Sequence, residues 1–210
     1  DCIGQRQTAY RIVVKSADGK MVWDSGKVLS DQSHEIVYGG ERPEAATAYT
    51  WELSVWDQDE ALLGASASFE TALAAKDGLQ DAKWISAAKP LDADAHRLPA
   101  FRRSVTISKD ISYARLYSTA LGVYENFING ERVGIIGDDG RIKYQELKPG
   151  SSEFAKRKYY STYDVTAMLH PGENVLAALT GTGWWNSLIA GNYGKRIAYL
   201  CKLVIRYTDG

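Results

Sequence analysis

The chain is 210 residues long, 45% hydrophobic and 24% charged, with 13 Tyr, 6 Trp and a formal net charge of −1. Such a composition is ordinary for a folded globular protein and excludes a disordered or fibrous one. Near-zero net charge supplies no global field to attract nucleic acid or an anionic lipid surface, and no apolar run is long enough for a helix to span a bilayer.

Residues 8–14, Thr-Ala-Tyr-Arg-Ile-Val-Val, read as a strand, and 21–28 as its partner across an Asp18-Gly19 turn. A short strand is expected at Glu35–Tyr38, ending at Gly39-Gly40. From Ala48 to Trp56 the alternation is clean. Tyr49, Trp51, Leu53 and Val55 fall on one face, with Thr50, Glu52, Ser54 and Trp56 on the other. Ser66–Thr71 supplies the last strand of this half, and short strands punctuated by frequent turns point to an antiparallel sandwich. Ala72–Ala82 loses the strand pattern and reads as a linker.

Trp84-Ile85-Ser86 opens the second half, and Ala100–Ile107 is a strand after a polar, Pro-containing stretch. The stretch Ala114–Gly134 organises the rest of this half. Its alternation is broken by Gly122, where a bulge or a close backbone approach is expected, and resumes over Val123–Ile128. Asn129-Gly130 then has the chemistry of a type I′ turn, with Arg132-Val133 returning, so the whole reads as strand, kink and hairpin in one sheet. Residues 134–152 are expected to form a long loop. Ser161–Val165, Val175–Thr180 and Ala198–Tyr207 read as strands, and 181–186 as a glycine-bracketed aromatic loop. The closing Thr208-Asp209-Gly210 has turn chemistry with no strand after it, so a piece of a longer chain is expected. The pattern is all-β, in two domains divided near residue 80.

These segments carry a resemblance. QTAYRIVV, VWDSGKV, YTWELSVWD and SASFETAL, in that order, are similar to the fibronectin type III-like segment at the start of bacterial α-L-rhamnosidases of glycoside hydrolase family 78. AKWIS, PAFRRSVTI, ARLYSTALGVYENFINGERVG, YYSTYDVTAML, PGENVLAALTGTGWW and the last strand to YTDG resemble the jelly-roll module that comes after it there. The resemblance implies two tandem β-sandwiches: a fibronectin type III-like one over 1–76, incomplete at its N-terminus, and a jelly-roll, galactose-binding-like one over 77–210, incomplete at its C-terminus. It also implies a parent that hydrolyses terminal α-L-rhamnosyl bonds with inversion, using paired carboxylates on an (α/α)-barrel outside these residues. Three departures stand out. The fibronectin-like strands that precede QTAYRI in the family are missing, the loop 134–152 is long, and Pro149-Gly150-Ser151 stands where the family often has Pro-Gly-Trp.

Glycoside hydrolysis needs two carboxyl groups flanking the scissile bond. Asp57, Asp59, Glu60, Glu125, Asp138, Asp139 and Asp164 are available, but none sits in a context that implies a buried acid, and no catalytic residue is assigned. Sugar binding is the next option, since pyranose faces stack on aromatic rings. Trp184, Trp185, Asn186 and Tyr193 have that chemistry, although a Trp following glycines at a strand end more often packs into its own sandwich. Calcium could use Asp138, Asp139 and nearby carbonyls, but no recognised ligand spacing appears; no cofactor or metal is assigned. His34, His96 and His170 are scattered, and a Cys2–Cys201 disulfide has no support beyond the count.

The expected role is a non-catalytic accessory fragment that positions and stabilises the absent catalytic barrel, which is then its partner. The alternative is an autonomous module that binds rhamnose-containing glycans. A pure scaffold should expose an apolar patch where the barrel docks. A periplasmic or extracellular location is favoured over a cytoplasmic one.

Overall fold

The computed structural model describes residues 4–74, 78–88, 98–137, 139–187, 191–194 and 196–209. By its internal contacts the chain divides into two compact units, Asp1–Gln80 and Asp81–Gly210.

In the first unit, β1 (Gln7–Ser16), β2 (Met21–Asp24), β3 (Val28–Leu29), β4 (Ala48–Asp57) and β5 (Leu62–Glu70) form one antiparallel sheet. Its order is β2-β1-β4-β5, with β3 also pairing β1. Register sorts the side chains by face, because directly opposed residues point the same way. Tyr10 opposes Val55, Ile12 opposes Leu53 and Val14 opposes Trp51, while Tyr49 opposes Phe69. These make one apolar face. The other face is held by charge: Arg11 Nε donates to Asp24 Oδ1 at 2.9 Å, and Lys15 Nζ lies 2.7 Å from Glu52 Oε1.

The expected strand at Glu35–Tyr38 does not form. Glu35 takes φ 56°, which breaks the extension, and the segment crosses the sheet as irregular chain. Tyr38 packs edge-on against Trp23, ring centroids 4.9 Å apart. Gly40 lies against both side chains, where a Cβ would collide with them. An open groove of about 360 Å³ remains between this segment and the sheet, lined by Ile36 and Tyr38 on one side and Ile12, Trp51, Leu53 and Phe69 on the other.

The second unit begins with β6 (Ile85–Ser86), β7 (Ala100–Ile107), β8 (Ile111–Leu121), β9 (Val123–Ile128), β10 (Glu131–Arg132), β11 (Ile135–Ile136) and β12 (Ile142–Lys143). It continues with β13 (Ser161–Asp164), a 3₁₀ turn (Thr166–Met168), β14 (Gly172–Gly181), β15 (Asn186–Ser187), β16 (Gly191–Asn192) and β17 (Ala198–Tyr207). Two four-stranded antiparallel sheets, β10-β9-β14-β7 and β13-β8-β17-β6, form a sandwich. Between them lies a core that includes Leu116, Ile128, Tyr163, Ala178 and Tyr199.

Two expectations change here. The stretch Ala114–Gly134 is not one sheet: β8 pairs β13 and β17, whereas β9 pairs β14 and β10. The crossing falls at Gly122, whose φ is +127° and whose missing Cβ leaves room for the Gly181 carbonyl oxygen. The expected long loop 134–152 contains a small hairpin, β11 paired with β12, with Gly137 N–H donating to the Arg141 carbonyl at 2.9 Å. The Asn129-Gly130 turn forms as the type I′ chemistry requires, with φ of 51° and 89°.

Candidate functional site

The aromatic loop after β14 gathers three rings. A turn closed by Trp185 N–H on the Thr182 carbonyl (3.2 Å) leads into the β15–β16 hairpin, in which Asn186 opposes Asn192. Tyr193 N–H then donates to the Trp185 carbonyl at 3.0 Å, which brings the two side chains together. Their rings stack with centroids 6.2 Å apart, and Phe154 meets Trp185 at 5.4 Å and Tyr193 at 5.1 Å, edge to face. Phe154 is buried, and sequence reading misses it; a lone Phe in a polar, basic stretch gives no periodic signal.

The cluster is committed largely to its own packing. Trp185 spends its indole N–H on the Arg196 carbonyl at 2.9 Å, and one ring face on Tyr193. Tyr193 is 40% exposed and is the ring of the three most open to solvent. Trp184 and Asn186 are half-buried. So the structure brings Trp185 and Tyr193 into contact and puts Asn186 at the start of the same hairpin.

A second polar system lies inside the sandwich, and sequence reading misses it too. Tyr199 Oη donates to Asn126 Oδ1 (2.6 Å), and Asn126 Nδ2 donates to Ser118 Oγ (2.8 Å). Tyr124 Oη donates to the Ser118 carbonyl (3.1 Å) and lies 3.2 Å from Tyr163 Oη. Burial pushes the three phenols up, so they stay neutral donors that cross-link the two sheets. The alternation of Tyr124, Asn126 and Ile128 on one face is the signal in the sequence, but Asn in that pattern does not announce a partner.

Beside it, Lys148 is 2% exposed in its side chain, with Nζ 3.0 Å from Glu125 Oε2 but off the line of a hydrogen bond. The rings of Tyr124 and Tyr163 lie 5.8 and 5.4 Å from the ammonium. Arg132 forks onto the same carboxylate at 2.8 and 2.9 Å. Burial alone would raise the Glu125 carboxyl, but Arg132 and Lys148 outweigh it and hold it below the ordinary range. A general acid needs the opposite shift.

Three of the remaining candidate carboxylates have local duties. Asp57 is buried and accepts the Asp59 and Ala61 N–H groups. Asp164 pairs with Arg115 at 2.8 Å and accepts from the Thr166 hydroxyl. Asp139 accepts the Arg141 N–H. Asp138, His96 and Cys2 lie outside the described residues. Among the described residues, no group of three or more His, Cys, Asp or Glu is arranged to hold a metal ion.

Known proteins share this architecture. Residues 109–210 match the α-L-rhamnosidase N-terminal domain family, and residues 2–75 match the Rha78A-like N-terminal immunoglobulin domain family. An α-L-rhamnosidase of Formosa agariphila is 31% identical over 214 residues, spanning 89% of this chain and 22% of that protein. The native α-L-rhamnosidase of Aspergillus terreus superposes with a TM-score of 0.84 at 29% identity, over 98% of this chain and 24% of that one. The α-L-rhamnosidase of Dictyoglumus thermophilum gives 0.78 at 28% identity, over 98% and 24%. The chain thus spans under a quarter of the length of these relatives.

Proposed function

We propose, for a chain that belongs to the α-L-rhamnosidase family through its N-terminal modules, a non-catalytic accessory role: it positions and stabilises the catalytic part of a longer enzyme. The observation that carries this reading is proportion. Nearly all of this chain aligns with relatives of which it covers only 22–24%, and it does so across two β domains. The electrostatics agree, because the Glu125 carboxylate is held ionised by two cations rather than kept protonated for proton donation. The division into an incomplete fibronectin type III-like domain over 1–76 and a jelly-roll over 77–210 belongs to this reading. In the test, the 210-residue chain is incubated with a nitrophenyl α-L-rhamnoside, and no nitrophenol release above the buffer rate is expected. Steady turnover by the purified chain would refute the role.

A second reading, an autonomous module for rhamnose-containing glycans, draws support from the exposed face of Tyr193 stacked on Trp185. It requires a saturable calorimetric response to rhamnose that is lost in Tyr193→Ala. Trp185→Ala is the poorer probe, since it also removes the indole hydrogen bond to the Arg196 carbonyl.

A further inference from the structure

The hairpin β11–β12 is out of keeping with the unit that carries it. Its strands are two residues each, and a hairpin that small does not hold itself in water. Yet Ile135, Ile136, Ile142, Tyr144 and Leu147 are 37%, 53%, 52%, 47% and 54% exposed, five large apolar side chains within a short excursion. Ile136 and Ile142 oppose each other in register and so share a face. Ile135, opposite Lys143, lies on the other face. Single exposed apolar residues need no explanation, but a paired Ile136 and Ile142 with three more on the same short excursion exceed scatter.

Both feet of the excursion are fixed. Val133, fully buried, donates its N–H to the Asn126 carbonyl at 2.8 Å. At the other end Lys148 carries its charge to Glu125, and its carbonyl accepts the Tyr124 N–H at 3.0 Å. Arg132 lies over the Tyr144 ring at 4.6 Å, bracing the hairpin's return limb. The rim carries both signs, with Arg141, Lys143 and Glu146 exposed. An apolar centre with a mixed polar rim on a rigid base is the anatomy of a protein interface.

We propose that this hairpin is the element on which the catalytic part of the longer rhamnosidase chain docks; the proposal rests on the accessory reading above and names its contact. A second copy of the chain is the poorer occupant, because five half-exposed side chains fall short of the ~800 Å² per partner that a stable dimer buries. A covalently joined partner needs no such area. Tethering puts it at an effective concentration of the order of millimolar, so a small patch suffices. The relatives provide that partner, since more than three quarters of each lies outside the region this chain matches.

The test replaces the matched N-terminal region of the Formosa agariphila α-L-rhamnosidase with this chain. It compares the chimera and the isolated 210-residue chain, each unmodified, as Ile136→Asp/Ile142→Asp, and as the surface control Leu62→Asp. The hairpin variant is expected to lower the chimera's melting temperature by roughly 4 °C and leave the isolated chain within about 1 °C, with the control inert in both. Amides of 134–147 should exchange at least tenfold more slowly in the chimera than in the isolated chain. Equal destabilisation of chimera and isolated chain, or unchanged exchange, overturns the proposal. So does a concentration-dependent dimer of the isolated chain that the hairpin variant abolishes, which makes a second copy the occupant. If the relative is as stable and active with its N-terminal region deleted, the accessory role itself falls. If deletion is damaging and the hairpin variant is silent, only the docking element is wrong. Should the chimera not fold, the same two charges go into the aligned positions of the relative, and the same readouts decide.

Discussion

The larger unit closes two apolar sheet faces on each other, whereas the described residues of the smaller one build a single sheet and leave part of its apolar face in solvent. In the larger unit Leu116, Ile128, Tyr163 and Tyr199 are all at most 4% exposed. In the smaller, Tyr10, Val14 and Tyr49 are buried, but Leu63 and Phe69 on the same face remain 60% and 38% exposed. Both units read as cleanly alternating strands. Cover separates them: a sheet face contributes to stability only where a second layer removes it from water. An irregular segment does this for the β1 side of the smaller sheet, and leaves a groove.

The contrast breaks most sharply at Gly122. Gly122→Ala places a Cβ against the Gly181 carbonyl oxygen at a φ that L-residues avoid, and about 4 kcal/mol of the larger unit's stability should go. Urea unfolding followed by near-ultraviolet circular dichroism checks this. The smaller unit's transition should stay where it is.

A paired truncation sharpens the same contrast. Ile128→Ala, in the closed core at 1% exposure, is expected to cost about 3 kcal/mol. Leu53→Ala, half-buried on the open face, should cost about 1 kcal/mol, because less transfer free energy is lost and the groove already supplies the cavity. Equal costs, measured by the same denaturant titrations, would mean the smaller sheet is covered in solution.

The smallest effect concerns the polar face of the smaller unit. The hydrogen bond from Arg11 holds the Asp24 carboxyl down from 3.8 to about 2. A depressed carboxylate favours the folded state fully above its ordinary value and loses that contribution as pH falls through the folded one. Wild type should therefore lose an increment of stability between pH 3.8 and about 2 that Asp24→Asn lacks. The variant should be slightly less stable at neutral pH, and the two should converge in acid. Melting curves across that range decide it.

The sequence by itself determined the local features. Alternation placed β1, β4, β7, β8, β9 and β17, and Asn129-Gly130 fixed a turn, because side-chain period and left-handed tolerance are properties of a few adjacent residues. The family resemblance was legible for the same reason, in runs such as ALGVYENFINGERVG. The Glu35–Tyr38 strand failed where a left-handed Glu35 let the segment serve as cover instead of pairing. Only the tertiary structure decided that Gly122 passes the chain between sheets, that Phe154 supports Trp185 and Tyr193, and that Lys148 is buried against Glu125. Each of these depends on which strands meet across the sandwich, and partners separated by tens of residues leave no periodic trace in either segment alone.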